Sequence, residues 1–271
     1  MLKIEHTEVL GWEASIRGMR NPMNSWNKSD SFKCDYDRED GYCAYCPYYY
    51  YESTEDGTYD ECCLNEYANH VIGQNDLDLM KRLVKAGTDH SKFMRMITVY
   101  VDITAPLYFW KEFKTYRAGR KFSDTMCDVI DSDLLEMDIE MNSCSTMHKI
   151  HAKEFELSDF SCEHLLGTVS EDDKHCVWYN NEYINSPLDV LEFTIDALNV
   201  CRKAYLETKD KKYWWQMIQL LPTSYNQKRT VQLNYAVLRN MYHSRKNHKL
   251  DEWHTFCEWI SSLPYSDLIT M

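Results

Sequence analysis

The chain of 271 residues is long enough for one large domain or two small ones, and its hydrophobic fraction of 44% contains no apolar run near the roughly 18 residues of a membrane helix. The opening MLKIEHTEVLGWEASIRG lacks an apolar stretch with a small-residue cleavage site, so a cytoplasmic protein with no membrane partner is expected. A net charge of −13 argues against a nucleic-acid polymer as partner, because phosphate contacts need a basic surface; a nucleotide substrate needs only a few local cations and stays open.

A short alternating stretch opens the chain, and EVLGWEASIRGMRNPMNSW then reads as a helix ending near Asn21-Pro22. Residues 31–66 are polar, aromatic and rich in turn residues, and read as an inserted loop or small subdomain. DLDLMKRLVKAG has apolar residues at helical spacing closed by Gly87. FMRMITVYVDITAPLYFWKEF begins β-branched and strand-like, and Pro106 marks the point where a helix can begin. Residues 118–141 are acidic and poorly periodic, a second insertion or mobile loop. SPLDVLEFTIDALNVCRKAYLETKD reads as an amphipathic helix with Ser186 as cap and Pro187 in its first turn. KKYWWQMIQLL, TVQLNYAVLRNMYHSRK and DEWHTFCEWISSL read as further helices. The pattern is α/β with long helices, a single domain carrying loop insertions. The 20 tyrosines and 8 tryptophans suit pockets and subunit interfaces.

In a reducing compartment the 11 cysteines are expected as free thiols or metal ligands. Cys127, Cys144, Cys162, Cys176, Cys201 and Cys257 are scattered singly, as buried small hydrophobes usually are. Cys34, Cys43, Cys46, Cys62 and Cys63 cluster around a C-x2-C pair. Cys34, Cys43, Cys46 and Cys62 (or Cys63) form a candidate ligand set for zinc or an iron–sulfur centre; an unmetallated or redox-labile loop is the alternative.

Two segments carry a family resemblance. The first is APLYFWKEFKTYR followed by NSCSTMH, and the second is LLPTSYNQKRTVQLNYAVLRNMYHSRKNHKLDEW. Together they resemble the flavin-dependent thymidylate synthases. That family has an Ala-Pro opening and the signature R-H-R-x-x-S-x-N-E-x-S-x-R-Y, whose first three positions fall here on Thr115, Tyr116 and Arg117. Its Asn and second Ser fall on Asn142 and Ser145, and its final Arg and Tyr on Met147 and His148. In the second segment a Leu-Pro leads through a helix with two flavin-binding asparagines, matching Asn234 and Asn240, to an arginine that holds dUMP, matching Arg245. A shorter match, GTDHSKFMR, places Arg95 near a flavin-contacting histidine.

The resemblance implies an α/β (α+β) fold, a twisted and mainly antiparallel sheet packed with long helices, as one domain over residues 1–271 with insertions at about 31–66 and 118–141. It implies methylation of dUMP by methylenetetrahydrofolate, FAD as hydride donor with NADPH as reductant, and a homotetramer with active sites built between subunits. Arg245 and Ser145 take the catalytic positions; Ser145, Lys228, Arg245, Glu112 and Lys111 the substrate positions; Arg95, Tyr116, Arg117, Asn234 and Asn240 the cofactor positions. Thr115, Tyr116 and Met147 depart from the pattern and remove two or three cations, each charge-assisted bond being worth about 1.5–3 kcal/mol. Two alternatives follow from those departures: a relative acting on dUMP or dCMP by altered chemistry, and a non-catalytic binding relative.

Overall fold

The structure, a computed structural model, describes residues 2–33, 70–115, 139–167, 177–179, 182–184 and 186–271. The cysteine set Cys34, Cys43, Cys46 and Cys62, the residues Tyr116 and Arg117, and nearly all of the acidic 118–141 segment lie outside the described residues. The elements run β1 (Lys3–Leu10), α1 (Trp12–Arg20), β2 (Phe32–Lys33), β3 (His70–Val71), α2 (Gln74–Lys85), β4 (Thr98–Pro106), α3 (Leu107–Phe113) and β5 (Glu140–Ser143). Then come β6 (Val177–Tyr179), β7 (Glu182–Ile184), α4 (Pro187–Thr208), α5 (Lys211–Leu220), β8 (Asn226–Asn234), α6 (Tyr235–Arg245), α7 (Asp251–Ser262) and α8 (Asp267–Thr270). A four-stranded sheet has the order β1-β4-β8-β5, and β2–β3 and β6–β7 form separate antiparallel pairs. The mixed helix and antiparallel-sheet architecture is the fold class expected. No helix among the described residues is long and apolar enough to cross a membrane.

Two helix readings are corrected. The residues Glu8–Leu10 belong to β1, and the helix starts only at Trp12, because Gly11 adopts φ +94 and an added Cβ there would meet the Met96 carbonyl oxygen. The stretch TVQLN belongs to β8, not to the helix that follows. Its Val231 and Leu233 are buried while Thr230 is exposed, an alternation with the period of a strand. The other boundaries hold: Gly87 follows α2 at φ +106, β4 gives way to α3 at Pro106, and the Ser186 hydroxyl accepts the Asp189 N–H at 3.1 Å to cap α4.

Chain contacts divide the protein into two compact units. One, the α4 unit, takes the described residues within 2–3, 102–115 and 141–230; the other, the α6 unit, takes those within 4–101 and 231–271 together with 139–140. In the α4 unit a core of Ile150, Phe155, Phe160, Leu191, Ile195, Leu198 and Met217 is closed by α4 against α5. Cys162 and Cys201 are half-buried there, but Cys144 is exposed, contrary to the expectation that the scattered thiols are buried. In the α6 unit Cys257 is buried, and burial, with the nearby Glu258 charge, pushes its thiol up to about 11.

The α6 unit is tied together by a buried ion pair. Arg20 Nε donates to Asp76 Oδ1 at 2.6 Å, with the two side chains 4% and 0% exposed. Asp76 Oδ2 also accepts from the hydroxyls of Ser29 and Ser31, each at 2.6 Å, and Arg20 donates to the carbonyls of Ser25 and Lys28. The neighbouring Asp30 carboxylate accepts the N–H groups of Asn75 and Asp76 in the first turn of α2. One polar network thus joins α1, residues 29–31 and α2. Both charges are out of water and both have several partners, the condition under which a buried pair is tolerated.

Burial alone would raise the Asp76 pKa, but the hydrogen bonds from Ser29, Ser31 and Arg20 and the Arg20 charge outweigh it and hold the carboxyl below its ordinary 3.8. Its contribution to stability is therefore complete above that pH and is lost as the pH falls through the lowered folded value. Asp76→Asn leaves Arg20 buried without an anion and is expected to cost about 3–5 kcal/mol. Urea midpoints followed from neutral pH down through the carboxylate range check both effects. The wild type should lose more stability below about pH 4 than the variant.

Candidate functional site

In the α6 unit the site is set by the turn from β8 into α6. Asn234 is the last residue of the strand, extended at φ −133 and ψ 165, and its Oδ1 accepts the Val237 N–H at 3.0 Å. Its neighbour Tyr235 donates its N–H to the Ile97 carbonyl at 3.1 Å and its hydroxyl to the Pro264 carbonyl. Trp12 packs edge-on against the rings of Tyr235 and Tyr265, at 5.3 and 5.2 Å. Burial raises the Tyr235 phenol well above its usual range, so it stays a neutral donor.

Held at its start, α6 turns Leu238 and Met241 inward, both fully buried. Arg245 continues that face one turn later and is half-buried at the end of the helix. Its guanidinium carbon lies 5.0 Å from the centre of the Trp253 ring, and Trp253 is itself fully buried against Phe256. A guanidinium over an indole face is held there by cation–π attraction. Asn240 is exposed on the flank of α6, and Arg95 is exposed just before β4. Asn234 does not share the helical face of Arg245, as the reading of TVQLN as helix implied; it precedes the helix and caps it.

In the α4 unit, Lys228 and Thr230 lie on one face of β8 and both meet Asp102 of β4. Lys228 Nζ is 3.0 Å from Asp102 Oδ2, and Thr230 Oγ1 donates to Asp102 Oδ1 at 2.6 Å. The Lys228 side chain keeps 39% of its surface exposed, so the cation remains reachable while partly neutralised. Ser145 is exposed in the loop after β5, and its Oγ accepts the N–H groups of Met147 at 3.3 Å and His148 at 2.8 Å. The Met147 carbonyl accepts from Trp214 Nε1 at 3.0 Å, which pins that loop to α5. Met147 itself is 51% exposed. On α3, Lys111 is exposed and Glu112 half-buried.

The residue that sequence reasoning passed over is Arg229. It faces the opposite side of β8 from Lys228 and is only 8% exposed, its guanidinium 4.4 Å from the centre of the Trp110 ring. The signal was present: Gln227, Arg229, Val231 and Leu233 alternate with exposed or half-buried neighbours, which puts Arg229 on the inward face once the segment is read as a strand. No group of three or more His, Cys, Asp or Glu side chains among the described residues is arranged to hold a metal ion.

No protein-family profile and no curated relative matches this chain. Solved structures do. Flavin dependent thymidylate synthase ThyX from Helicobacter pylori, complexed with FAD and dUMP, is 14% identical, covers 99% of this chain and 97% of its own, and has a TM-score of 0.54. A second structure of Thymidylate Synthase X from Helicobacter pylori with FAD and dUMP is 14% identical, covers 100% and 96%, and has a TM-score of 0.53. The chain has the flavin-dependent thymidylate synthase fold.

At that identity the likeness concerns the course of the backbone, and it runs nearly the full length of both chains. It agrees with the resemblance read from the Ala105-Pro106 and Leu221-Pro222 segments. Within a thymidylate synthase fold the strand-to-helix turn at Asn234 is a load on one side chain, and it is open to direct test. Asn234→Ala removes the cap and should lower stability by about 1 kcal/mol, whereas Asn234→Ser, which retains a capping oxygen, should lie within a few tenths of wild type. Urea unfolding of the two variants checks this.

Proposed function

We propose that this chain is a flavin-dependent thymidylate synthase: a cytoplasmic homotetramer that methylates dUMP with methylenetetrahydrofolate, using FAD and NADPH. The observation that carries the proposal is the segment from Pro222 to Arg245. Its spacing resembles the family's, and it folds as strand, cap and helix, ending in a guanidinium that lies over the Trp253 ring. The full-length likeness to two structures holding FAD and dUMP supports it.

The donor set suits FAD. Asn240 offers an exposed carboxamide, able to donate and accept along a pyrimidine-like edge, and Arg95 offers an exposed cation for a diphosphate. The Asn234 oxygen is committed to the cap, which leaves its NH2 as the part available to a cofactor. Arg117 and Tyr116 complete the proposed cofactor set. FAD, when bound and reduced, supplies the hydride that turns a methylene carried on the uracil into a methyl group.

The chain's own residues bind and polarise. Arg245 donates paired hydrogen bonds toward uracil oxygens and stabilises negative charge that develops on the ring as C5 becomes nucleophilic. The Trp253 ring restrains that guanidinium before substrate arrives, so less ordering remains to be done on binding. Ser145 accepts two loop N–H groups and keeps its hydroxyl hydrogen for an oxyanion. Lys228 offers a point charge, tempered by Asp102, and Lys111 and Glu112 complete the substrate set.

The proton on C5 of dUMP must leave when the methyl group is formed. Tritium should therefore be released from 5-tritiated dUMP only when methylenetetrahydrofolate and reduced FAD are both present. Tight binding of FAD and dUMP without release would instead favour the relative with altered chemistry, which the exposed Met147 in the signature's arginine position also favours. Arg245→Ala should weaken dUMP binding by ten- to a hundredfold, the loss of about one charge-assisted bond, while circular dichroism and the oligomer seen by light scattering stay unchanged. Retained affinity in that variant contradicts the assignment.

A further inference from the structure

The buried face of β8 in the α4 unit holds a cation, Arg229, that no carboxylate among the described residues balances. Arg229 lies over the Trp110 ring, which covers one face of the guanidinium. Its Nε and Nη2 both donate to Gln227 Oε1, at 3.0 and 2.7 Å. Gln227 cannot swing away, because its Nε2 donates to the Cys144 carbonyl at 2.5 Å, and that pair of contacts also fixes which end of the amide faces the arginine. Trp110 is locked in turn by its Nε1, which donates to the carbonyls of Ala105 and Gln227.

What remains is the second Nη2 hydrogen and the Nη1 group. Among the described residues the Nη1 hydrogens meet the Met141 thioether sulfur, at 4.0 Å, a weak acceptor at the limit of contact. Among the described residues no carboxylate pairs with Arg229. A neutral amide oxygen and an indole face offset part of the cost of burying a guanidinium, but a buried charge is normally paired with an opposite one. Burial accordingly lowers the Arg229 pKa from its ordinary value, though not within reach of neutral pH for a group so basic. The charge therefore persists, rigidly aimed, with its outer edge covered by a flexible methionine that can move aside at little cost.

We propose that the free edge of Arg229 is an oxyanion site, and that it takes the phosphate monoester of the nucleotide substrate. The planar fork matches two phosphate oxygens, and the aromatic wall and clamped glutamine hold it ready. The site is linked to the Ser145 loop, because the Cys144 carbonyl that anchors Gln227 directly precedes Ser145. The identity of the phosphate carrier rests on the proposed function; the presence of an oxyanion site does not.

The test uses the intact protein and calorimetric titration with dUMP, deoxyuridine and inorganic phosphate. Wild type should bind dUMP at least tenfold more tightly than deoxyuridine, and inorganic phosphate should compete with dUMP alone. Arg229→Met, which keeps the volume and removes the charge, should bring dUMP down to the deoxyuridine level and leave deoxyuridine unchanged. A variant that keeps the preference overturns the inference. So does one that loses both ligands by the same factor, the mark of a merely structural arginine. If Arg229→Met does not fold, Arg229→Lys decides: dUMP should weaken severalfold with deoxyuridine unchanged, and unchanged dUMP overturns the site. If wild type binds neither dUMP nor deoxyuridine, the thymidylate reading falls, and inorganic phosphate settles the oxyanion site alone. A Tm raised by phosphate in wild type and not in the variant supports it; no rise overturns it.

Discussion

Where β8 becomes α6, two adjacent side chains and one backbone N–H convert a strand into a helix and aim it. Asn234 takes up an N–H that the first turn of the helix would otherwise leave unpaired, and Tyr235 fastens the same point to Ile97 and Pro264. Trp12, next to Gly11, which lies too close to the Met96 carbonyl for a side chain to fit, braces the tyrosine ring. The direction of α6 is thereby determined at its first residue, and Arg245 is placed by helix geometry from there. The Arg245 guanidinium over the Trp253 ring inherits its position from that turn.

The α4 unit obeys a different rule, the two-residue period of a strand. On one face of β8, Lys228 and Thr230 share Asp102 and keep contact with water; on the other, Gln227 and Arg229 go inward. A shift of register by one residue would exchange a half-exposed lysine with a buried arginine. The burial of Trp110 under Arg229, together with hydrogen bonds from its indole to two carbonyls, holds that register. The polar groups of this unit are therefore not surface accidents. They occupy positions specified by the same alternation that packs Val231 and Leu233 in the α6 unit.

Much of the fold was legible in the residues. The Ser186-Pro187 start of α4, the glycine after α2 and the β-branched run before Pro106 each announce themselves through local chemistry, and that chemistry prevails in the structure. TVQLN misled because its apolar residues abut those of YAVLRNM, so a strand followed at once by a helix looks like one long amphipathic segment; only the capping geometry of Asn234 separates them. Gly11 misled in the same way, since its positive φ is a tertiary demand imposed by Met96 and leaves no trace in periodicity. Of the candidate site, Arg245 and Asn240 were proposed through the family resemblance, and Arg229 was not, because its meaning depends on what surrounds it in three dimensions. The exposure of Cys144 was equally hidden, its neighbours NSCST giving no hint of burial either way.

The proposed function makes one demand that no non-flavin reading shares. Native protein, stripped of any bound small molecule and titrated with FAD, should bind it stoichiometrically, with quenched flavin fluorescence and a resolved shift of the flavin absorption band. Flavin fluorescence and absorbance that remain those of the free cofactor through a large excess of protein would contradict the account at its centre.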